Sequence, residues 1–313
     1  MTVSFTFPGQ GSQAVGMGKA LADAYPQARA VFAEVDEALG EKLSTIMWEG
    51  PIETLTLTQN AQPALMAVSL AAVRVLEANG VQLATSAAYV AGHSLGEYSA
   101  LAAAGTLKLD DAARLLRIRG RAMQEAVPVG VGAMAALIGL DFPAACDVAR
   151  DAANDQVCDV ANDNGAGQVV VSGDRSAVER AIELAKERGA KRAILLPVSA
   201  PFHCALMAPA ARIMEEALAA VELRAPAVPL VANVVAGPIS DPDEIRRRLV
   251  EQVTSMVRWR ESIDWLAGAG VNLFVEVGAG KVLSGLVKRI VAGGETLTIG
   301  VPDDIDAAMA RLA

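Results

Sequence analysis

Basic charge, cysteine and histidine are all scarce in this chain. Lysine and arginine number 27 against 36 acidic residues, a formal charge of −9 over 313 residues. A protein dedicated to nucleic acid carries the opposite imbalance, so no nucleic-acid partner is expected. Three cysteines occur, Cys146, Cys158 and Cys204, with no CxxC pair and no disulfide-framework spacing, which fits a reducing compartment. The opening residues Met1-Thr2-Val3-Ser4-Phe5 have neither the basic region nor the long apolar stretch of a secretory leader. No uncharged apolar run reaches the roughly 18 residues needed to span a bilayer. The longest candidate, residues 63–78, is interrupted by Arg74. These absences predict a soluble cytoplasmic protein without a membrane partner. At 53% hydrophobic content it can bury one large or two modest cores.

Short β-rich runs alternate with longer helical stretches, the mark of an α/β protein with a mostly parallel sheet. Residues 3–7 read as a first strand, ended by the turn Pro8-Gly9-Gln10-Gly11. Further strands are expected at 87–92 and 273–277, the latter running into Gly278-Ala279-Gly280 and a helix. Residues 59–79 read as an almost wholly apolar, buried helix, and 94–104 and 110–126 as two more. Between 128 and 197 the pattern changes. It becomes strand 133–139, helix 143–153, strands 157–162 and 168–172, helix 176–188 and strand 191–197, with Asn162-Asp163-Asn164-Gly165 as a hairpin turn. That order is the ferredoxin-like split βαβ, expected as a small α+β subdomain at 128–197 inserted into a larger α/β domain of 1–127 and 198–313.

The stretch Gly92-His93-Ser94-Leu95-Gly96 follows a strand and precedes a helix. GxSxG there is the nucleophile-elbow context: the turn exposes the serine hydroxyl, and the N–H of the next residue, Leu95, faces the oxyanion formed on attack. Small-residue turns match the same pattern, so the strand–turn–helix frame carries the reading. A serine nucleophile needs a base, and the chain has two histidines. His93 adjoins Ser94, and neighbours leaving a strand point to opposite sides, which leaves it a packing role beneath the turn. His203 is the eligible base, and Cys204 beside it is a packed thiol. No acid declares itself as third member, so a backbone carbonyl or an amide side chain is left to orient the histidine.

In residues 112–123 positions 112, 115, 116, 119, 122 and 123 form an inward helical stripe of Ala, Leu, Leu, Arg, Ala and Met. Arg119 therefore lies in the buried row, while Arg114, Arg117 and Arg121 fall on the solvated face. A buried guanidinium needs an anion. That anion is either a structural Asp or Glu, or a substrate carboxylate, which the planar fork suits. The glycine-rich segment after the first strand fails GxGxxG because Ala14 stands at the third glycine, so no dinucleotide cofactor is expected. Its turn is placed instead to lend a second N–H, that of Gln10, to an oxyanion hole.

Together these residues resemble the malonyl-CoA:acyl-carrier-protein transacylase family, the malonyl loaders of bacterial fatty acid synthesis. The matching segments are Phe7-Pro8-Gly9-Gln10-Gly11-Ser12-Gln13, Ala61-Gln62-Pro63-Ala64-Leu65, Gly92 through Ala100, Arg119-Gly120-Arg121-Ala122-Met123-Gln124, Phe202-His203 and Glu276 through Leu283, where Ala279 replaces a common proline. The resemblance implies a hydrolase-like α/β domain with a ferredoxin-like insertion. It implies that Ser94 is acylated, that His203 is base and acid, that Gln10 and Leu95 form the oxyanion hole and that Arg119 binds the malonyl carboxylate. It further implies that Gln62 lines the pocket, that the Gln252 main-chain carbonyl orients His203, and that Phe202 excludes an α-methyl group. It implies malonyl-CoA and a phosphopantetheinylated acyl carrier protein as substrates, with no metal or cofactor, on a monomer. The carrier is acidic, so Lys186, Arg188, Lys191, Arg192, Lys281, Lys288 and Arg289 are candidates for a docking patch. An acyltransferase of a polyketide pathway, an esterase or thioesterase, and a non-catalytic acyl-CoA or carrier-binding protein are the other readings.

Overall fold

The computed structural model describes residues 1–198 and 200–312. Among the described residues ten strands run in chain order: β1 (Val3–Phe7), β2 (Tyr89–Gly92), β3 (Gly132–Ile138), β4 (Cys158–Asp163), β5 (Gln168–Asp174), β6 (Arg192–Leu195), β7 (Leu230–Ala232), β8 (Gly237–Ile239), β9 (Leu273–Val277) and β10 (Glu295–Ile299). Six build one sheet in the order β10-β9-β1-β2-β7-β8, parallel throughout except for β8. β1 is buried at all five residues, as a central parallel strand covered on both faces must be. The helix Thr58–Ala78 shares the large core with β1 and has 17 of its 21 residues buried. By length and composition it is apolar enough to cross a membrane, but 83% of that window lies inside the protein.

The other four strands form an antiparallel sheet in the order β4-β5-β3-β6, with helices Phe142–Ala153 and Arg175–Glu187 between them in sequence. This mostly parallel sheet plus an antiparallel one is the mixed α/β class expected. Alternation along β3 explains how the two sheets join. Ala133, Ala135 and Leu137 pack with those two helices, whereas Met134 and Ala136 belong to the large core.

The hairpin turn differs from expectation. β4 continues through Asn162 and Asp163, and the turn is made by residues 164–167. Main-chain bonds from Asp163 N to Val257 O (3.0 Å) and from Val257 N to Ala161 O (2.8 Å) extend the strand, and Asp163 Oδ2 accepts from Arg260 Nε at 2.8 Å. Partners distant in sequence thus override the local turn preference of Asn-Asp. Similarly, the helix expected from residue 94 begins at Gly96, because Ser94 sits at φ +54°, outside helical space.

Candidate active site

Ser94 stands where β2 turns into the helix Gly96–Ala103. Its left-handed φ is uncommon for a residue with a side chain, and the flanking glycines show why the turn is so tight. A Cβ on Gly92 would lie 1.9 Å from the Gly96 carbonyl carbon, and one on Gly96 would lie 2.2 Å from Phe7 O. Asn233, just after β7, holds the turn. Its Oδ1 accepts from Ser94 N–H at 2.8 Å while its Nδ2 donates to Gly92 O at 2.7 Å.

His203 approaches from the loop after β6. Ala205 N–H donates to Asp159 Oδ2 at 2.9 Å and the Cys204 thiol donates to Pro201 O at 3.1 Å, which pins this loop against β4. His203 also adopts a left-handed φ of +58°. Its Nε2 lies 2.7 Å from Ser94 Oγ and its Nδ1 lies 2.8 Å from the main-chain carbonyl of Gln252, the last residue of helix Pro242–Gln252. A carbonyl only accepts, so Nδ1 carries the proton and Nε2 presents its lone pair to the serine. Burial, with the nearby Arg119 charge, pushes the His203 pKa down to about 3. The imidazole is therefore neutral at physiological pH, the form a general base requires.

Arg119 reaches the site because helix Leu109–Glu125 meets Thr58–Ala78 at Gly120, where a Cβ would lie 2.5 Å from Gln59 Cα. The stripe residues 112, 115, 116, 119, 122 and 123 are all buried, and Arg119 is 1% exposed. Its Nη1 donates to Gln62 Oε1 at 2.8 Å, and its Nη2 to Gln252 Oε1 at 2.8 Å and to Ser94 Oγ at 3.1 Å. Tyr98 lies under the guanidinium at 5.7 Å. Among the described residues no carboxylate lies within ion-pair distance of Arg119, and its buried Nε–H has no acceptor. The cation is held by neutral oxygens, and its Nε–H donor is unused. Arg117, expected on the solvated face, is instead half-buried and bonds to Asn60 and Glu41. Those two partners, not solvent, satisfy it.

A cavity of about 490 Å³ opens over these groups and is lined also by Gln10, Leu95, Gln62, Met123, Met134 and Phe202. Neither Gln10 N–H nor Leu95 N–H donates to an acceptor among the described residues. Ser94, His203, Gln10, Leu95, Arg119, Gln62, Phe202 and Gln252 are thus brought together. His93 also lines the cavity, but it bonds elsewhere, with Nε2 2.9 Å from Asn164 Oδ1 and its ring 5.5 Å from Trp259. Of the basic candidates, Lys186 pairs with Glu183, Arg188 with Asp151, and Arg289 donates to Gln168. Around Gly278-Ala279-Gly280 the Glu276 carboxylate accepts from Leu283 and Ser284 N–H at 3.0 and 2.7 Å, which already caps the following helix.

Two site residues were not foreseen, Asn233 and Glu97. Glu97 is the single charged residue of the all-but-buried helix Gly96–Ala103, a signal open to the same stripe argument used for Arg119. Asn233 carries no local signal.

A strained serine paired with a neutral histidine, in a cavity lined also by Gln10 and Leu95, is the arrangement that serine-dependent acyl transfer requires. The acyl transferase domain model matches residues 4–299, and the chain belongs to that family. It is 47% identical over 311 residues to the malonyl CoA-acyl carrier protein transacylase of Bacillus subtilis (strain 168), covering 99% of this chain and 97% of that protein. The crystal structure of acyl-carrier-protein-S-malonyltransferase from Bartonella henselae is similar with a TM-score of 0.98 and 58% identity, covering 100% and 99% of the two chains. A type II PKS acyl-carrier protein in complex with its malonyl-transacylase supplies another likeness. There the TM-score is 0.96 and identity 41%, over 99% of this chain and 100% of the other.

Proposed function

We propose that this chain transfers the malonyl group of malonyl-CoA to the phosphopantetheine thiol of an acyl carrier protein through a malonyl ester on Ser94. The observation that carries the reading is Arg119, a buried cation without a carboxylate partner, 3.1 Å from the Ser94 hydroxyl. An esterase for neutral acyl groups has no use for such a cation, whose burial is costly.

His203 Nε2 takes the Ser94 proton as Oγ attacks the thioester carbon, and the N–H groups of Gln10 and Leu95 hold the oxyanion. The C–S bond breaks, the CoA sulfur leaves with the proton from His203, and the ester remains. Arg119, steadied by Gln62 and Gln252, binds the free malonyl carboxylate. Phe202 fills the space an α-methyl would need. The carrier thiol then gives its proton to His203, attacks the ester carbon and departs acylated as Ser94 regains a proton. Every group in this cycle comes from the chain or its substrates, so it needs neither metal nor cofactor.

In this reading residues 128–197 are a ferredoxin-like subdomain on a hydrolase-like domain of 1–127 and 198–313. The protein acts as a cytoplasmic monomer, without membrane or nucleic acid, and supplies extender units for fatty acid synthesis. The likeness to a type II PKS pair favours a second reading of the pathway alone. Rates with purified carriers of each kind separate the two. For the chemistry, intact mass after brief exposure to malonyl-CoA is expected to show a malonyl adduct that Ser94→Ala abolishes. An unmodified wild-type mass removes the reading.

A further inference from the structure

Glu97 has no part in the transfer chemistry, yet it is 1% exposed and lies one side chain away from Arg119. Its Oε1 accepts from the main-chain N–H of Asn233 at 2.5 Å, and its Oε2 accepts from Nε2 of Gln252. The Gln252 amide is thereby clamped from two sides. Guanidinium only donates, so Gln252 Oε1 must face Arg119. Its Nε2 then faces Glu97 and the Ser94 carbonyl, the latter at 3.0 Å.

We infer that Glu97 is a positioning residue for acyl-group selection: it locks the Gln252 amide with its oxygen on Arg119, and so aims the guanidinium at the carboxylate of an incoming acyl group. The inference rests on the proposed role of Arg119. A carboxylate offers an acceptor to each of the two donors that converge on it. An amide or a protonated carboxyl offers one acceptor and one donor. The Asn233 N–H is main chain and cannot turn, so in either case the donor end would meet the Gln252 NH2. The soft response is rotation of the Gln252 amide, which sets its NH2 against Arg119 and leaves the buried Ser94 carbonyl without its partner. The guanidinium then loses one of the two amide oxygens that anchor it.

Arg119 and Tyr98 are the titratable groups that face Glu97, with His203 reached through the Gln252 main chain. Burial pushes the Glu97 carboxyl up to about 8, so it ionises as pH rises through that value. The correct amide orientation belongs to the ionised form. Selection of a carboxylated acyl group should therefore strengthen with rising pH.

The test compares initial loading of Ser94 by malonyl-CoA and by acetyl-CoA in wild type, Glu97→Gln, Gln252→Met, the double variant and Arg119→Ala. Glu97→Gln is expected to lose malonyl loading about tenfold or more while acetyl loading stays within about twofold. The double variant should be no worse than the weaker single one, because both act through one amide. In wild type the malonyl-to-acetyl ratio should rise between pH 7 and 9, and Glu97→Gln should flatten it. Should Glu97→Gln fail to fold, Gln252→Met is expected to lower the malonyl-to-acetyl loading ratio whatever its absolute rates, and the wild-type ratio carries the pH expectation. Equal losses for both acyl groups, additive losses, or a ratio that ignores pH would overturn the inference. If Arg119→Ala itself fails to discriminate, the malonyl reading falls. If it discriminates while Glu97→Gln does not, only the role of Glu97 falls.

Discussion

Arg119→Ala is the most informative single substitution, because its effect on the two acyl groups should differ in size and direction. A malonyl carboxylate bound in this pocket would be a desolvated anion. Deleting one partner of such a pair costs about 3–5 kcal/mol. At ~1.4 kcal/mol per factor of ten, kcat/KM for malonyl transfer should fall on the order of 10²–10³-fold. Acetyl has no carboxylate and loses nothing directly. The Arg119 charge also helps to hold down the His203 pKa, so its removal strengthens the base and acetyl loading should hold or rise. Folding takes a smaller penalty. Gln62 Oε1 and Gln252 Oε1 each lose a donor, about 1–3 kcal/mol apiece, offset by no longer burying a guanidinium. Quench-flow loading read by intact mass with each thioester gives both rates, and a thermal melt shows that the fold persists. Parallel losses for malonyl and acetyl in a folded variant would refute the reasoning and make Arg119 a structural cation.

With the His203 pKa near 3, acetyl kcat/KM should stay level from pH 7 down to pH 5 instead of falling below 6.5, as far as this base is concerned. The sign follows because the active neutral form is lost only as pH drops through the lowered value; a break near 6.5 that vanishes in His203→Ala would contradict it. Phe202→Ser opens the cavity, so methylmalonyl loading relative to malonyl should rise by roughly tenfold or more, measured by competition between the two thioesters. Gly92→Ala forces a Cβ to within 1.9 Å of Gly96, so urea unfolding should show a loss of at least ~3 kcal/mol and Ser94 should take up no acyl group; a stable, active variant would mean the elbow is slack.

The parts of this site that announce themselves in the sequence are those governed by periodicity. The Arg119 stripe is a helical pattern, and every one of its six positions is buried. The burial of Thr58–Ala78 follows from its composition, and the elbow from two glycines around a serine. What stays hidden depends on groups that meet across the fold. Asn233 is 139 residues from the N–H it receives, and Arg117 finds Glu41 across a gap of 76. Asp163 reads as a turn residue until Val257 and Arg260 extend its strand. Glu97 is the intermediate case: its position on an apolar helix is visible, but its two donors come from distant segments. Physical contact, not local preference, decides all four.

The group behind His203 is a main-chain carbonyl, and this bears on how long the ester lasts. A carboxylate there would carry full negative charge and make the imidazole eager to strip a proton from any water that wandered in. A carbonyl dipole only keeps the ring upright, and the neighbouring guanidinium charge restrains it further. In the proposed cycle such a base would serve a thiol already seated beside the ester better than a stray water molecule. A loaded enzyme of this design can wait for its next partner.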